Sequence, residues 1–232
     1  MKAVILGGGQ GKRLRPLTDS LPKPLINVAG TPLVVRQIEW LKSNGVEEFI
    51  LSIGYLREKI VNFLGNGSEL GVRISYVFED KPLGTGGGLR NARFRLDMKE
   101  DFYVVNGDII TDIKPQRLVE NLKEDAFGVI ALVPLRSSYG IVEVDRELRI
   151  LDFKEKPCLD QYWINAGLYL LRPEVLDYLP EIGDIEKTAF PILAKEGKLM
   201  AVKYEKSCMW KSIDTYKDIE EIETELKINE AR

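Results

Sequence analysis

Between Lys2 and Val105 the sequence alternates short apolar runs with stretches of helical spacing, and few folds accept that alternation. The runs are Lys2–Leu6 (KAVIL), Glu48–Ile53 (EFILSI), Val72–Phe78 (VRISYVF) and Phe102–Val105 (FYVV). Their length and apolar character fit strands buried in a sheet. Pro32–Ser43 places Leu33, Ile38 and Leu41 on one helical face and stops at Asn44-Gly45. Tyr55–Leu64 reads as a helix closed by Gly65-Asn66-Gly67, and Thr85–Phe94 as a helix entered through glycine. Strands joined by helical crossovers run parallel, so the chain is expected to be α/β: a mostly parallel sheet in a three-layer α/β/α arrangement. Further strands at Phe127–Val133, Ile141–Val144, Arg149–Phe153 and Trp163–Leu171 carry less helix between them and are expected as mixed additions to the same sheet. Ile185–Lys195 and Tyr216–Ile228 read as helices. No Pro/Ser-rich linker interrupts the 232 residues, and one domain over 1–232 is expected.

Composition removes several chemistries. With no histidine there is no Ser-His-Asp or Cys-His catalytic group, no His-ligated zinc and no His general base. Cys158 and Cys208 form neither a C-x-x-C motif nor a disulfide framework, which points to a reducing cytoplasm. The formal charge of −3 gives no general attraction to nucleic acid or to an anionic membrane. Ala3–Leu6 is too short for a signal peptide, and Phe127–Leu135, the longest apolar-rich stretch, is too short for a membrane span.

The first strand runs into Leu6-Gly7-Gly8-Gly9-Gln10-Gly11-Lys12-Arg13-Leu14-Arg15-Pro16-Leu17-Thr18. Glycines here let backbone N–H groups approach phosphate oxygens closely. The loop is not a P-loop, because Arg13 follows Gly11-Lys12 and the residue six places before Lys12 is Leu6. It is not a dinucleotide fingerprint either, since Lys12 stands where a third glycine belongs. Lys12, Arg13 and Arg15 crowd one loop at the C-terminal end of a strand, where open α/β sheets bind ligands. Prolines on both sides of Lys23 in Leu21-Pro22-Lys23-Pro24-Leu25 stiffen the backbone that presents it. A polyanion such as a triphosphate suits Arg13 and Lys23 together.

GGGQGKRLRPLT followed by PKPL closely resembles the signature of the sugar-nucleotide pyrophosphorylases, the sugar-1-phosphate nucleotidyltransferases, and the resemblance continues along essentially the whole chain. It resembles the short guanylyltransferase form, and implies a Rossmann-like, GT-A-like fold and an Mg²⁺-dependent transfer from an NTP to a sugar 1-phosphate. It also implies that Leu6, Gly8, Gly9, Gly11, Arg13 and Lys23 hold the nucleotide. In Glu79-Asp80-Lys81-Pro82-Leu83-Gly84-Thr85-Gly86-Gly87-Gly88 it implies a wall for base and ribose formed by Glu79, Pro82, Gly84 and Thr85. In Asn106-Gly107-Asp108 the resemblance implies a further nucleotide contact, Asn106, and a metal-binding Asp108. Asp214, in Trp210-Lys211-Ser212-Ile213-Asp214-Thr215, resembles the second metal carboxylate; Ser212 stands where the family has its usual first Asp, and Asp214 also suits the N-cap of the last helix. Gly140 of Tyr139-Gly140-Ile141-Val142, Glu155 and Lys156 of Glu155-Lys156-Pro157, and Asn165 of Asn165-Ala166-Gly167 match the family's sugar-facing elements. Glu186 matches a mainly structural helix.

The implied reaction is an in-line attack by a sugar 1-phosphate oxygen on the α-phosphorus, with Arg13, Lys23, Asp108 and Lys156 as its catalytic set. The nucleophile is already anionic, so no His base is needed, which agrees with the composition. Glu79 stands where thymidylyl members carry a Gln. A carboxylate only accepts, and guanine offers two adjacent donors, so the expected pair is GTP with a mannose- or heptose-type 1-phosphate. Uridylyl-, thymidylyl- and cytidylyltransferases, and a silent nucleotide-sugar-binding regulator, stay open as alternatives. The family's C-terminal β-helix repeats are not seen in the sequence, and the oligomeric state, including a homodimer, is left open.

Overall fold

The computed structural model describes residues 1–230. Along the chain the elements are β1 (Lys2–Gly7), α1 (Leu17–Ser20), β2 (Asn27–Val28), β3 (Thr31–Pro32), α2 (Leu33–Ser43), β4 (Glu48–Ile53), α3 (Arg57–Leu64), β5 (Arg73–Phe78) and α4 (Gly84–Asn91). There follow β6 (Phe102–Asn106), β7 (Ile109–Thr111), α5 (Gln116–Glu120), β8 (Gly128–Arg136), β9 (Ile141–Val144), β10 (Ile150–Lys154), β11 (Cys158–Leu171), α6 (Ala189–Lys195), β12 (Leu199–Lys203), β13 (Trp210–Ser212) and α7 (Tyr216–Glu230).

Seven strands form the main sheet in the order β12-β8-β11-β6-β1-β4-β5. β1 pairs in parallel with β4 and β6, β4 with β5, and β8 with β12, while β11 runs antiparallel to β6 and β8. The expected mostly parallel mixed sheet is therefore what forms. Strand side chains alternate between faces, and two cores result. Ile5, Leu51, Val105 and Leu168 pack with Ile38 and Leu41 of α2, Ile60 of α3 and Leu118 of α5. Val4, Ile50, Val104 and Tyr169 pack on the other face with Leu89 of α4 and Phe190 and Leu193 of α6. Each fully buried aliphatic side chain contributes about 1.5–3 kcal/mol, so both faces of the sheet need covering helices.

Two expectations are corrected. β9 and β10 do not extend the main sheet; among the described residues they pair with each other alone, in a separate two-stranded sheet. The reason is register: Cys158 pairs with Arg136, so the ladder between β8 and β11 closes beneath the excursion that carries the hairpin. Its apolar side chains, Ile150, Leu151 and Phe153 among them, remain exposed. The helix expected over Ile185–Lys195 begins at Ala189. Pro191 has no N–H to donate and is tolerated in a first helical turn but not in a helix interior.

β1 and β6 are neighbours with Leu6 opposite Asn106, so the loops that follow them open at the same edge of the sheet. Just beyond that edge β7 and β13 form a short antiparallel ladder in which Ser212 faces Ile109. Val28, Leu33, Ile110, Ile213 and Ile222 bury a third, smaller core beneath it, against which α7 packs. Among the described residues no helix is long and apolar enough to cross a membrane.

Candidate active site

The Gly-rich loop leaves β1 and turns at Gly11, whose φ of 60° lies in the left-handed region. A Cβ there would meet the Thr18 side chain at 3.0 Å, so glycine answers both the backbone and the space. A cavity of about 250 Å³ opens over this loop, lined among others by Leu6, Gly9, Gly11, Arg13, Lys23 and Asp108, with Asp214 across from them.

The short β7–β13 ladder explains how two aspartates far apart in sequence meet. Asp108 precedes β7 and Asp214 follows β13, and the Ile213 N–H donates to the Asp108 carbonyl at 2.8 Å. Lys23 Nζ then donates to Asp108 Oδ2 at 2.9 Å and to Asp214 Oδ1 at 3.1 Å. Arg13 adds a bond to Asp214 Oδ1 at 2.8 Å, and Ser212 Oγ donates to Asp214 Oδ2 at 3.2 Å. Sequence reasoning missed this ladder, although the β-branched run Ile109-Ile110-Thr111 is a strand signal. The Asp108 turn is held independently of its carboxylate. Gly107 N–H donates to Leu6 O at 3.0 Å, and Gln37 Nε2 donates to Asn106 O and Ile109 O, each at 2.9 Å.

Asp214 does not cap α7. Thr215 does, its Oγ1 accepting the Asp218 N–H at 3.3 Å while Asp218 Oδ2 accepts the Thr215 N–H at 2.8 Å, a reciprocal capping box. Asp218 Oδ2 also accepts the Asp214 N–H at 3.1 Å, so the cap steadies the backbone of the site. Burial pushes the Asp218 carboxyl up, but hydrogen bonds from Thr215 and Lys211 and from the two backbone N–H groups outweigh it and hold the group below the usual carboxylate range. A depressed carboxyl stabilises the fold at neutral pH, and that contribution disappears as pH falls through the folded-state value. Asp218→Asn should cost about 1 kcal/mol at pH 7. Thermal unfolding across pH checks it: the gap from wild type should close in acid, and a gap of constant size would contradict the assignment.

The other expected residues divide. Glu79 is buried and faces Gly8, where a Cβ would come within 2.4 Å of Glu79 Oε1. Ser52 Oγ donates to Glu79 Oε1 at 2.8 Å and the Leu83 N–H to Oε2 at 3.2 Å, leaving lone pairs on both oxygens. A second cavity of about 180 Å³ lies there, lined by Gly8, Tyr55, Glu79 and Pro82. Gly84 packs against Gly183, and the Thr85 hydroxyl is turned away to donate to Glu186 Oε2 at 2.5 Å. The Asn106 side chain lies against Gly167 with Oδ1 buried and, among the described residues, without a hydrogen-bond partner. Gly140 abuts Glu155 and Phe153, and a Cβ there would meet Glu155 Oε2 at 3.0 Å. Glu155 and Lys156 are exposed and pair with each other at 4.0 Å. Among the described residues Lys156 has no ion pair to the Arg13–Lys23–Asp108–Asp214 group. Asn165 is exposed, its amide anchored to Gly167 and Tyr169.

The family model described as nucleotidyl transferase matches residues 2–228. Probable mannose-1-phosphate guanylyltransferase 2 of Oryza sativa subsp. japonica is 41% identical over 211 residues, covering 87% of this chain and 58% of that protein. Mannose-1-phosphate guanyltransferase beta-B of Xenopus laevis is 39% identical over 226 residues, covering 94% and 62%. The chain thus spans about three fifths of the length of the curated relatives it matches. The crystal structure of HddC from Yersinia pseudotuberculosis superposes with a TM-score of 0.75 at 27% identity, covering 97% of this chain and 99% of that one. HddC complexed with GMP-PN gives a TM-score of 0.72 at 25% identity.

Proposed function

The chain belongs to the nucleotidyl transferase family, and from that premise we propose that it joins an NTP to a sugar 1-phosphate, giving an NDP-sugar and pyrophosphate. Residues 1–232 are read as one nucleotidyltransferase domain. The observation that carries the reading is the convergence of Asp108 and Asp214 on one cation, Lys23, at the mouth of a glycine-lined cavity that also holds Arg13. The names of the relatives above support GTP and mannose 1-phosphate; a heptose 1-phosphate, expected from the sequence, is kept as the second choice.

An oxygen of the sugar 1-phosphate attacks the α-phosphorus in line; the new O–P bond forms as the bond to the β-phosphate bridge oxygen breaks, and pyrophosphate leaves with the electron pair. No covalent intermediate and no general base are required, so catalysis rests on positioning and on neutralising charge. Loop N–H groups around Gly8, Gly9 and Gly11 approach the triphosphate. Arg13 and Lys23 neutralise the departing pyrophosphate. Lys156 guides the incoming sugar phosphate from the exposed side, and Gly140, Glu155 and Asn165 meet the sugar.

The donor set fits Mg²⁺: two hard carboxylates from separate elements already gather around a positive charge, and Mg²⁺ takes one or two carboxylates with phosphates and water completing the shell. Asp108 and Asp214 would hold the ion, which when bound supplies charge neutralisation and orientation of the phosphates. The free Cys158 and Cys208 support a cytoplasmic setting.

Pyrophosphate release with Mg²⁺, across five NTPs and mannose, heptose, glucose and N-acetylglucosamine 1-phosphates, tests the reading; one strongly active pair is expected, and a silent panel from folded protein that binds nucleotide would overturn it. Glu79 is read as the base selector. Its free lone pairs match guanine N1–H and N2–H, whereas a Gln would set an N–H against one of them. Glu79→Gln should lower the preference for GTP over UTP by about 10-fold or more, since a hydrogen bond to a charged group contributes about 1.5–3 kcal/mol. Unchanged competition between the two nucleotides would remove Glu79 from base selection.

A further inference from the structure

Tyr169 is wholly buried in the second core, yet its hydroxyl takes part in a polar chain of which the reaction scheme above uses only Asn165. Glu186 stands at the centre of that chain. Its Oε2 accepts the Thr85 hydroxyl at 2.5 Å and its Oε1 accepts the Tyr169 hydroxyl at 3.1 Å. The Tyr169 oxygen in turn accepts from Asn165 Nδ2 at 2.8 Å, and Asn165 Oδ1 accepts the Gly167 N–H at 2.8 Å.

The direction of every bond follows from chemistry. A carboxylate can only accept, so Tyr169 must donate to Glu186. Its oxygen is then left to accept, which selects the N–H face of the Asn165 amide. The Gly167 N–H fixes the same orientation from the other side. One N–H and one carbonyl lone pair of Asn165 remain free, both directed by an anchor that cannot rotate without breaking two bonds. Burial, first, and the Glu186 charge push the Tyr169 hydroxyl well above the ordinary tyrosine range, so it stays protonated and a donor.

We propose that Glu186, acting through Tyr169, is a positioning residue that fixes the orientation in which Asn165 presents its amide to the sugar 1-phosphate, and that it ties this contact to Thr85 on the nucleotide side. The assignment of Asn165 to the sugar rests on the function proposed above. The tie is physical: Thr85 lies in the first turn of α4 and its hydroxyl also accepts the Ile185 N–H at 3.0 Å, so the loop that carries Glu186 is docked on the nucleotide wall.

Tyr169→Phe is the decisive variant, because the ring keeps its edge-on contact with Phe190, centroids 5.0 Å apart, and only the hydroxyl is lost. The KM for the sugar 1-phosphate should rise about 5- to 10-fold, the value of one net hydrogen bond, with the KM for the NTP little changed. In an Asn165→Ala background the same substitution should add nothing, because the residue through which it acts is gone. A purely structural role would instead lower the melting temperature and change both KM values in either background. Where Tyr169→Phe does not fold, Glu186→Gln carries the same comparison from the half-buried end of the chain. The ¹⁵N side-chain signal of Asn165 reads the anchor without turnover: it should move toward free-amide positions in either variant. An unmoved signal, or additive effects in the double variant, overturns the proposal. A wild type that makes no nucleotide sugar while the amide signal moves as expected overturns the function proposed above and leaves the anchor standing.

Discussion

Asp108→Asn should fold as the wild type does and lose at least about 100-fold in turnover, the usual scale for deleting one electrostatic contact in a polar transition state. The fold survives because nothing in the turn depends on the carboxylate. Gly107 is tied to Leu6, Gln37 clamps the carbonyls of Asn106 and Ile109, and the Asp108 carbonyl is held by Ile213. Asn keeps the size of the side chain and removes its charge, so Lys23 loses one of its two partners and the oxygens that would hold Mg²⁺ are weakened. Steady-state pyrophosphate release beside thermal unfolding decides it. A folded variant with near wild-type turnover would take Asp108 out of the reaction, and Asp214→Asn should give a loss of similar size, since the two groups share one cation.

What the sequence disclosed and what it hid follow a physical line. Local signals were legible: the buried run of β1, the glycines after it, the prolines around Lys23, and the strand and helix alternation up to Asn106. Hidden was what depends on contacts between distant segments. β7 and β13 are three residues each, too short for any periodicity, yet their pairing brings Asp108 to Asp214. The sequence offered Asp214 as the cap of the last helix, and only the reciprocal bonds between Thr215 and Asp218 show that the cap is Thr215. The β9–β10 hairpin alternates like any strand pair, and only the pairing of Cys158 with Arg136 shows that it stands outside the main ladder. Tyr169 lies in the expected strand Trp163–Leu171 and is buried, and its hydroxyl acquires a role only because Glu186 arrives from a separate loop.

Lys23→Met should lower turnover on the same scale as Asp108→Asn, about 100-fold or more, and should also change how the nucleotide-free protein responds to divalent cations. Lys23 is 13% exposed and bonded to both aspartates, whereas Arg13, the other cation paired with them among the described residues, is 71% exposed and bonds to Asp214. Without Lys23 the two carboxylates face each other with little compensation, and removing one partner of an ion pair costs more than the pair itself was contributing. Pro22 and Pro24 still fix the backbone, so the variant should fold with a lowered melting temperature. A cation that binds the folded state alone raises that temperature by mass action. Millimolar Mg²⁺ should therefore restore much of the lost stability in Lys23→Met while barely moving the wild type, in which the ammonium already occupies the space between the carboxylates. Equal Mg²⁺ responses in the two proteins would mean that Lys23 and the metal do not compete for Asp108 and Asp214. In that case the ammonium contacts seen here would persist in the loaded site, and Arg13 alone would be left to meet the departing pyrophosphate.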